Sequence, residues 1–306
     1  YMEKKPLVVV NGLVRKDAIA YLKEHVDVRQ WTEKTVMPRE VLKEWLIDAD
    51  GLWCVRPLDV DGDLVKNAPN LKVIAQAAVG YDNVNIDELT AAGIPYGNTP
   101  GVLNETVAEL AFTLIATASR RIIENANFVK DGRWAQRPSN IKGFDLSRRT
   151  LGIIGMGAIG VSISRRARAF GMTVVYHNRN QRLDDKIHKT TYMELDDLLA
   201  ISDVVCVMAP LTDETYHMCD EAFFKKMKNT ALFVNVGRGP IVDTDALINA
   251  LKTGEIDYAA LDVTDSEPLP ADHPLLDVEN CLIVPHIGSY TDRTRYDMSI
   301  LTADNI

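Results

Sequence analysis

Gly155, Gly157 and Gly160 follow the apolar run of LGIIGMGAIG and stand directly before ISRRARAF, a stretch with helical character. In a strand-to-helix setting this G-x-G-x-x-G spacing has a physical meaning. The first glycine permits a tight turn, the second lets the backbone approach a pyrophosphate, and the third lets the helix pack closely on its strand. Met156, Ala158 and Ile159 complete the loop, and the unpaired N–H groups at the helix N-terminus face the phosphates. These residues point to a dinucleotide pocket.

The stretch YHNRN, Tyr176 to Asn180, bears on which dinucleotide is bound. A pocket for NAD carries a carboxylate about 20 residues beyond the glycines, placed to bind the ribose 2′-hydroxyl. Asn178 stands 18 residues after Gly160, where that carboxylate is expected. A carboxylate would repel the 2′-phosphate of NADP. Asn178 is neutral, and Arg179, next to Asn180, offers charge-assisted hydrogen bonds of about 1.5–3 kcal/mol, on the order of ten- to hundredfold in preference. The expected cofactor is NADP(H), with NAD(H) possible if Arg179 is only a solvated loop residue beside a tolerant pocket.

A doubly wound sheet must present such a loop. From Thr150 onward, LGIIG, TVVYH, DVVCVM, ALFVNV, YAALDV and CLIVP read as six strands separated by helical or turn segments. The first part of the chain alternates short apolar runs (LVVV, GLWCV, LKVIA) with longer polar segments, as a smaller βα unit does. At the junction GNTPGVLNE the pattern changes. Val107, Leu110, Ala111, Leu114 and Ile115 then recur at the spacing of a long helix with one buried stripe, closed by Arg120 and Arg121. The tail after His286, with Met298, Ile300 and Leu301, reads as helical.

The 306 residues are 46% hydrophobic and 25% charged, an ordinary globular composition long enough for two domains. The net charge of -9 carries no basic stripe, so nucleic acid is not an expected partner. The apolar runs are far below the ~20 residues that span a bilayer, so no membrane partner is expected and a cytoplasmic location is. Cys54, Cys206, Cys219 and Cys281 lack CxxC pairing and are expected to be core residues in a reducing compartment, with no metal bound. Tyr1 ahead of Met2 reads as an expression scar.

The segments NTPGVLNETVAELAFTLI, LGIIGMGAIG, VNVGRGPIVD, ALDVTDSEPLPADHPLL and VPHIGSYTDRTR, in this order, resemble the D-isomer-specific 2-hydroxyacid dehydrogenases from about Leu52 onward. Within that family the wording of DVTDSEPLPADHPLL and PHIGS is most similar to the glyoxylate and hydroxypyruvate reductases. The resemblance implies an α/β, two-lobed fold in which a Rossmann dinucleotide-binding domain (100–286) is inserted into a discontinuous flavodoxin-like substrate domain (1–99 and 287–306). It also implies an active site in the cleft, a homodimer, and a tail running somewhat beyond Ile306. Carried over by position, the catalytic Arg falls on Arg238, the Glu on Glu267 and the His on His286. The backbone turn for the substrate carboxylate falls on Val79 and Gly80. Pro210, Val236 and Asp262 match positions on the nicotinamide side of the cofactor. Tyr290 departs from the pattern, because a small residue is commoner after HIGS, and this leaves substrate choice open.

Such residues suit the reduction of a small 2-keto acid to a D-2-hydroxy acid. The carbonyl carbon needs a hydride from the nicotinamide, and the carbonyl oxygen needs a proton. An imidazole titrates near neutral pH and can give that proton, while a carboxylate beside it fixes the tautomer. A guanidinium fork on the substrate, from Arg238, holds its carboxylate and polarises the carbonyl. His286 then serves with Val79, Gly80 and Arg238 in binding substrate. Glyoxylate and hydroxypyruvate are the leading expectations, with 2-ketogluconate or another 2-keto acid as the nearest alternative. A nucleotide-sensing, corepressor-like binding protein is the alternative of a different class. His25, His177, His188, His217 and His273 have no partner pattern and read as surface or packing residues.

Overall fold

The computed structural model describes residues 5–306, so Tyr1 and Met2 lie outside the described residues. The chain divides into two compact units. One comprises the described residues of Tyr1–Leu103 together with Tyr290–Ile306, and the other is Asn104–Ser289.

The first unit is a five-stranded parallel sheet: β1 (Leu7–Val10), β2 (Asp27–Gln30), β3 (Gly51–Cys54), β4 (Val73–Gln76) and β5 (Tyr96–Gly97), in the spatial order β2-β1-β3-β4-β5. This is the flavodoxin-like order. Alternate residues serve opposite faces, as the two-residue period of a strand requires. Val9, Leu52 and Ile74 join a core on one face, and Val8, Val10 and Trp53 meet Ala303 of the terminal helix Asp292–Asp304 on the other.

The second unit holds a seven-stranded parallel sheet. Its strands are β6 (Thr150–Ile154), β7 (Thr173–His177), β8 (Thr191–Tyr192), β9 (Val204–Val207), β10 (Leu232–Asn235), β11 (Tyr258–Leu261) and β12 (Cys281–Ile283). The order β12-β11-β10-β9-β6-β7-β8 is doubly wound and reverses between β6 and β9. Both faces are covered. Ile153, Tyr176, Cys206 and Val234 pack with Ala111 and Ile115 of the helix Asn104–Ser119, whereas Ile154, Val205 and Phe233 pack with Phe223, Phe224 and Leu247. Phe224 and Phe233 meet edge to face at 5.2 Å, and full burial of such a side chain stabilises by about 1.5–3 kcal/mol.

Two expectations are refined. The long helix buries Ala108 and Phe112 as well as Ala111, Leu114 and Ile115, while Val107 and Leu110 are only half-buried. The helix ends at Ser119, and Arg121 takes a left-handed conformation (φ 50°) from which it bridges Glu124 and Asp257. No helix among the described residues is long and apolar enough to cross a membrane.

Candidate active site

The chemistry-bearing residues of the second unit follow the C-terminal ends of its strands. Gly155 follows β6, Asn178 follows β7, Pro210 lies just past β9, Val236 and Arg238 follow β10, Asp262 follows β11, and His286 lies three residues past β12. Open parallel sheets bind ligands there, at the point where the strand order reverses.

Close contact and backbone geometry shape the glycine loop. Gly155 has φ +98°, and a Cβ on it would stand 2.5 Å from the amide nitrogen of Ala209. A Cβ on Gly160 would stand 2.8 Å from the carbonyl oxygen of Gly155. Gly157 differs, because its φ is ordinary and its Cβ would meet no protein atom within 4 Å. Neither packing nor dihedral requires a glycine at that position, and the open space before the helix Ala158–Ala169 suits a pyrophosphate. That helix has no side-chain cap and no acidic residue in its first turn, so its N–H groups remain available to an anion. The loop fits a dinucleotide.

Side chains around YHNRN hold this loop. Asn178 accepts the Met156 N–H on Oδ1 at 2.6 Å. Arg182, which the sequence did not single out, donates from Nη1 to the Met156 carbonyl at 3.0 Å, while its Nε and Nη2 grip Asp184 at 2.7 and 2.6 Å. The Asp184 carboxyl is drawn down to about 2, first by Arg182 and then by His188, against the cost of desolvation. Arg-x-Asp is too common a spacing to signal such a tie. Arg179 and Asn180 are exposed. Arg179 forms no hydrogen bond or ion pair among the described residues. After the Thr212 hydroxyl, its charge helps to hold the Glu214 carboxyl low. Pro210 is exposed, and its carbonyl accepts from the Thr215 hydroxyl at 2.7 Å.

The segment carrying Arg238 turns around Asn235. Its fully buried amide accepts the Gly237 N–H at 3.0 Å and donates to the Arg238 carbonyl at 2.9 Å, leaving no buried polar atom of that amide unused. This is a second residue that sequence reasoning passed over. Arg238 donates from Nη1 to the Gly237 carbonyl at 2.9 Å. Val236 beside it is buried.

The His286 imidazole pairs through Nδ1 with Oε2 of Glu267 at 2.6 Å, and Oε1 of Glu267 accepts the Thr264 N–H at 3.1 Å. Burial pushes the Glu267 carboxyl up. The hydrogen bond and charge of His286, the Thr264 N–H and the Arg238 charge together outweigh that effect and hold it below its ordinary value. With Glu267 ionised, Nδ1 is the donor and Nε2 is left to exchange a proton. The backbone at His286 is left-handed, φ +52°. Asp262, 2% exposed, stabilises it by accepting the His286 N–H on its carbonyl at 2.9 Å. Its carboxylate accepts the Ile287 and Gly288 N–H groups at 2.6 and 2.9 Å. Burial dominates at Asp262 and raises its carboxyl.

In the first unit, the turn at Val79 and Gly80 follows β4. The carbonyls of Ala78, Val79 and Gly80 are taken up by Thr99, Asn98 and the pair Gln76 and Arg56. The Val79 and Gly80 N–H groups donate to nothing among the described residues, which suits a small anion. Tyr290 is 72% exposed, with the Arg295 guanidinium 5.9 Å from its ring centre.

Residues 112–288 match the family model described as "D-isomer specific 2-hydroxyacid dehydrogenase, NAD binding domain". The chain is 41% identical over 305 residues to the glyoxylate reductase of Korarchaeum cryptofilum, covering 99% of this chain and 92% of the relative. It is also 41% identical over 305 residues to glyoxylate/hydroxypyruvate reductase B of Escherichia coli, covering 99% and 94%. Among solved structures, the NADPH-dependent glyoxylate/hydroxypyruvate reductase of Sinorhizobium meliloti, in complex with NADP and malonate, superposes with a TM-score of 0.89 at 30% identity, covering 98% of this chain and 92% of that one. The strand orders, the glycine loop and this full-length likeness agree: the chain belongs to the D-isomer-specific 2-hydroxyacid dehydrogenases and is an NAD(P)-dependent oxidoreductase.

Proposed function

We propose that this enzyme reduces small 2-keto acids, glyoxylate and hydroxypyruvate foremost, to D-2-hydroxy acids, preferring NADPH over NADH. The observation that carries this reading is the 2.6 Å pair of His286 with Glu267, with Arg238 close enough for its charge to act on Glu267. The relatives named above are glyoxylate and hydroxypyruvate reductases, which supports the substrate class.

A bound nicotinamide would supply the hydride. His286 gives the proton from Nε2 to the carbonyl oxygen in reduction and takes it back in oxidation, and Glu267 holds the ring in the tautomer that permits both. Arg238 directs its guanidinium at the substrate and stabilises the negative charge that grows on the carbonyl oxygen. The Val79 and Gly80 N–H groups receive a carboxylate. The dinucleotide would rest on Gly155 to Gly160, with Pro210, Val236 and Asp262 on its nicotinamide side. Arg179 would meet the 2′-phosphate, and a side chain that is exposed and forms no hydrogen bond or ion pair among the described residues supports that role. We assign substrate binding to the unit built on β1–β5 and propose a cytoplasmic homodimer, which light scattering would test.

Initial rates with NADPH and with NADH, each against glyoxylate, hydroxypyruvate, pyruvate and 2-ketogluconate, test the proposal. Rapid NADPH oxidation with the first two is expected. Activity with NADH alone would overturn the cofactor preference, and activity confined to 2-ketogluconate would overturn the substrate assignment.

A further inference from the structure

Arg238 and Glu267 sit on separate loops, after β10 and β11, and the two loops touch backbone to backbone. A Cβ on Gly239 would stand 1.9 Å from the Thr264 carbonyl oxygen and 2.5 Å from the Asp265 nitrogen. No side chain fits between the segment bearing Arg238 and the loop bearing Glu267.

A third stretch of chain straps this junction. The His217 N–H donates to the Pro240 carbonyl at 2.9 Å, the Cys219 N–H to the Ile241 carbonyl at 3.0 Å, and the Asp243 N–H to the Cys219 carbonyl at 3.1 Å. His217 is left-handed, φ +51°, an uncommon conformation for a residue that carries a side chain. Tyr216 stacks on its ring at 4.1 Å and 11°. The imidazole Nε2 is buried without a hydrogen-bond partner, and the carboxylate of Asp265 lies 3.7 Å away. Asp265 precedes Glu267 by two residues, and in the same loop the Thr264 hydroxyl donates to the Ser266 carbonyl at 2.9 Å.

We propose that His217 is a positioning residue for the reaction, a clip that holds the Glu267 loop against the Arg238 segment through Asp265. The proposal rests on the reading of Arg238, Glu267 and His286 given above. The left-handed backbone aims the ring at Asp265, and Tyr216 stacks on its face. A buried ring nitrogen without a partner is costly, and Asp265 is the acceptor near it. Glu267 must meet His286 at 2.6 Å, so a slip of an ångström in its loop releases the ring.

The test is His217→Asn, because asparagine tolerates the left-handed backbone while withdrawing the ring. Turnover is expected to fall about tenfold, as a loosened catalytic geometry would dictate, with NADPH affinity unchanged. The downfield proton resonance shared by His286 and Glu267 should shift or broaden. Asp265→Asn should give the same loss, and the double variant should lose no more than either single one. Unchanged turnover and an unmoved resonance in His217→Asn, or losses that multiply in the double variant, would overturn the clip. His286→Asn, measured alongside, separates the two readings. Its loss of turnover beside an unaffected His217→Asn defeats the clip alone, whereas wild-type turnover in His286→Asn defeats the site reading and the clip with it.

Discussion

The amide of His286 donates to the carbonyl of Asp262 at 2.9 Å, while the side chain of the same aspartate holds the next two amides of the chain. One buried carboxylate thus fixes the loop on which the proposed proton donor stands, and its fit depends on two acceptor oxygens. Asp262→Asn turns an N–H₂ toward one of those amides. A loss of about 1–3 kcal/mol in unfolding free energy is expected, from a buried donor left unsatisfied, together with reduced turnover. Urea unfolding and steady-state rates check both, and a variant as stable as the parent would refute this account of the loop.

Glu267 predicts a pH dependence with a definite sign. Its carboxyl is held below the ordinary value in the folded chain, so its contribution to stability is present above the ordinary glutamate value of about 4.3 and is lost as pH falls through the lowered one. The difference in melting temperature between the parent and Glu267→Gln should therefore be present in the neutral range and should close as pH falls into acid. A difference that grew on acidification would contradict the direction of the shift. Turnover of Glu267→Gln should also fall, because the ring loses the partner that sets its tautomer.

His286→Asn keeps a residue suited to the left-handed backbone and removes the imidazole. Turnover should fall by roughly 10²–10⁴, the usual contribution of a positioned acid or base, with NADPH binding unaltered. Single-turnover rates and fluorescence titration with NADPH separate the two effects.

Arg179→Ala should raise the KM for NADPH about ten- to hundredfold and leave that for NADH unchanged. The side chain is exposed and makes no hydrogen bond among the described residues, so stability should not change. Equal effects on both cofactors would remove Arg179 from 2′-phosphate recognition.

How much could be read beforehand depended on whether a residue's role is local. The six apolar strands from LGIIG to CLIVP announce themselves because a parallel sheet covered on both faces needs continuous apolar runs. β2, with the sequence DVRQ, and the two-residue strands β5 and β8 give no such signal: β2 is polar and partly exposed at a sheet edge, and the others are too short for any period. Gly155 was legible from its spacing, and its φ of +98° supplies the reason. Asp262, expected on the nicotinamide side, proved also to anchor the loop of His286, because its amide partners lie 25 and 26 residues away. Arg182 and Asn235 were silent for the same cause, since both act on backbone groups that only the folded chain brings near.

The contact beneath Gly239 bears on how this scaffold could be adapted to other substrates. Because any side chain there would collide with the Thr264 carbonyl, position 239 is closed to variation, and Arg238 and Glu267 must move together or not at all. A library meant to alter keto acid preference would waste its diversity along the 238–240 and 264–267 segments. It would find a freer position at Tyr290, whose side chain is 72% exposed.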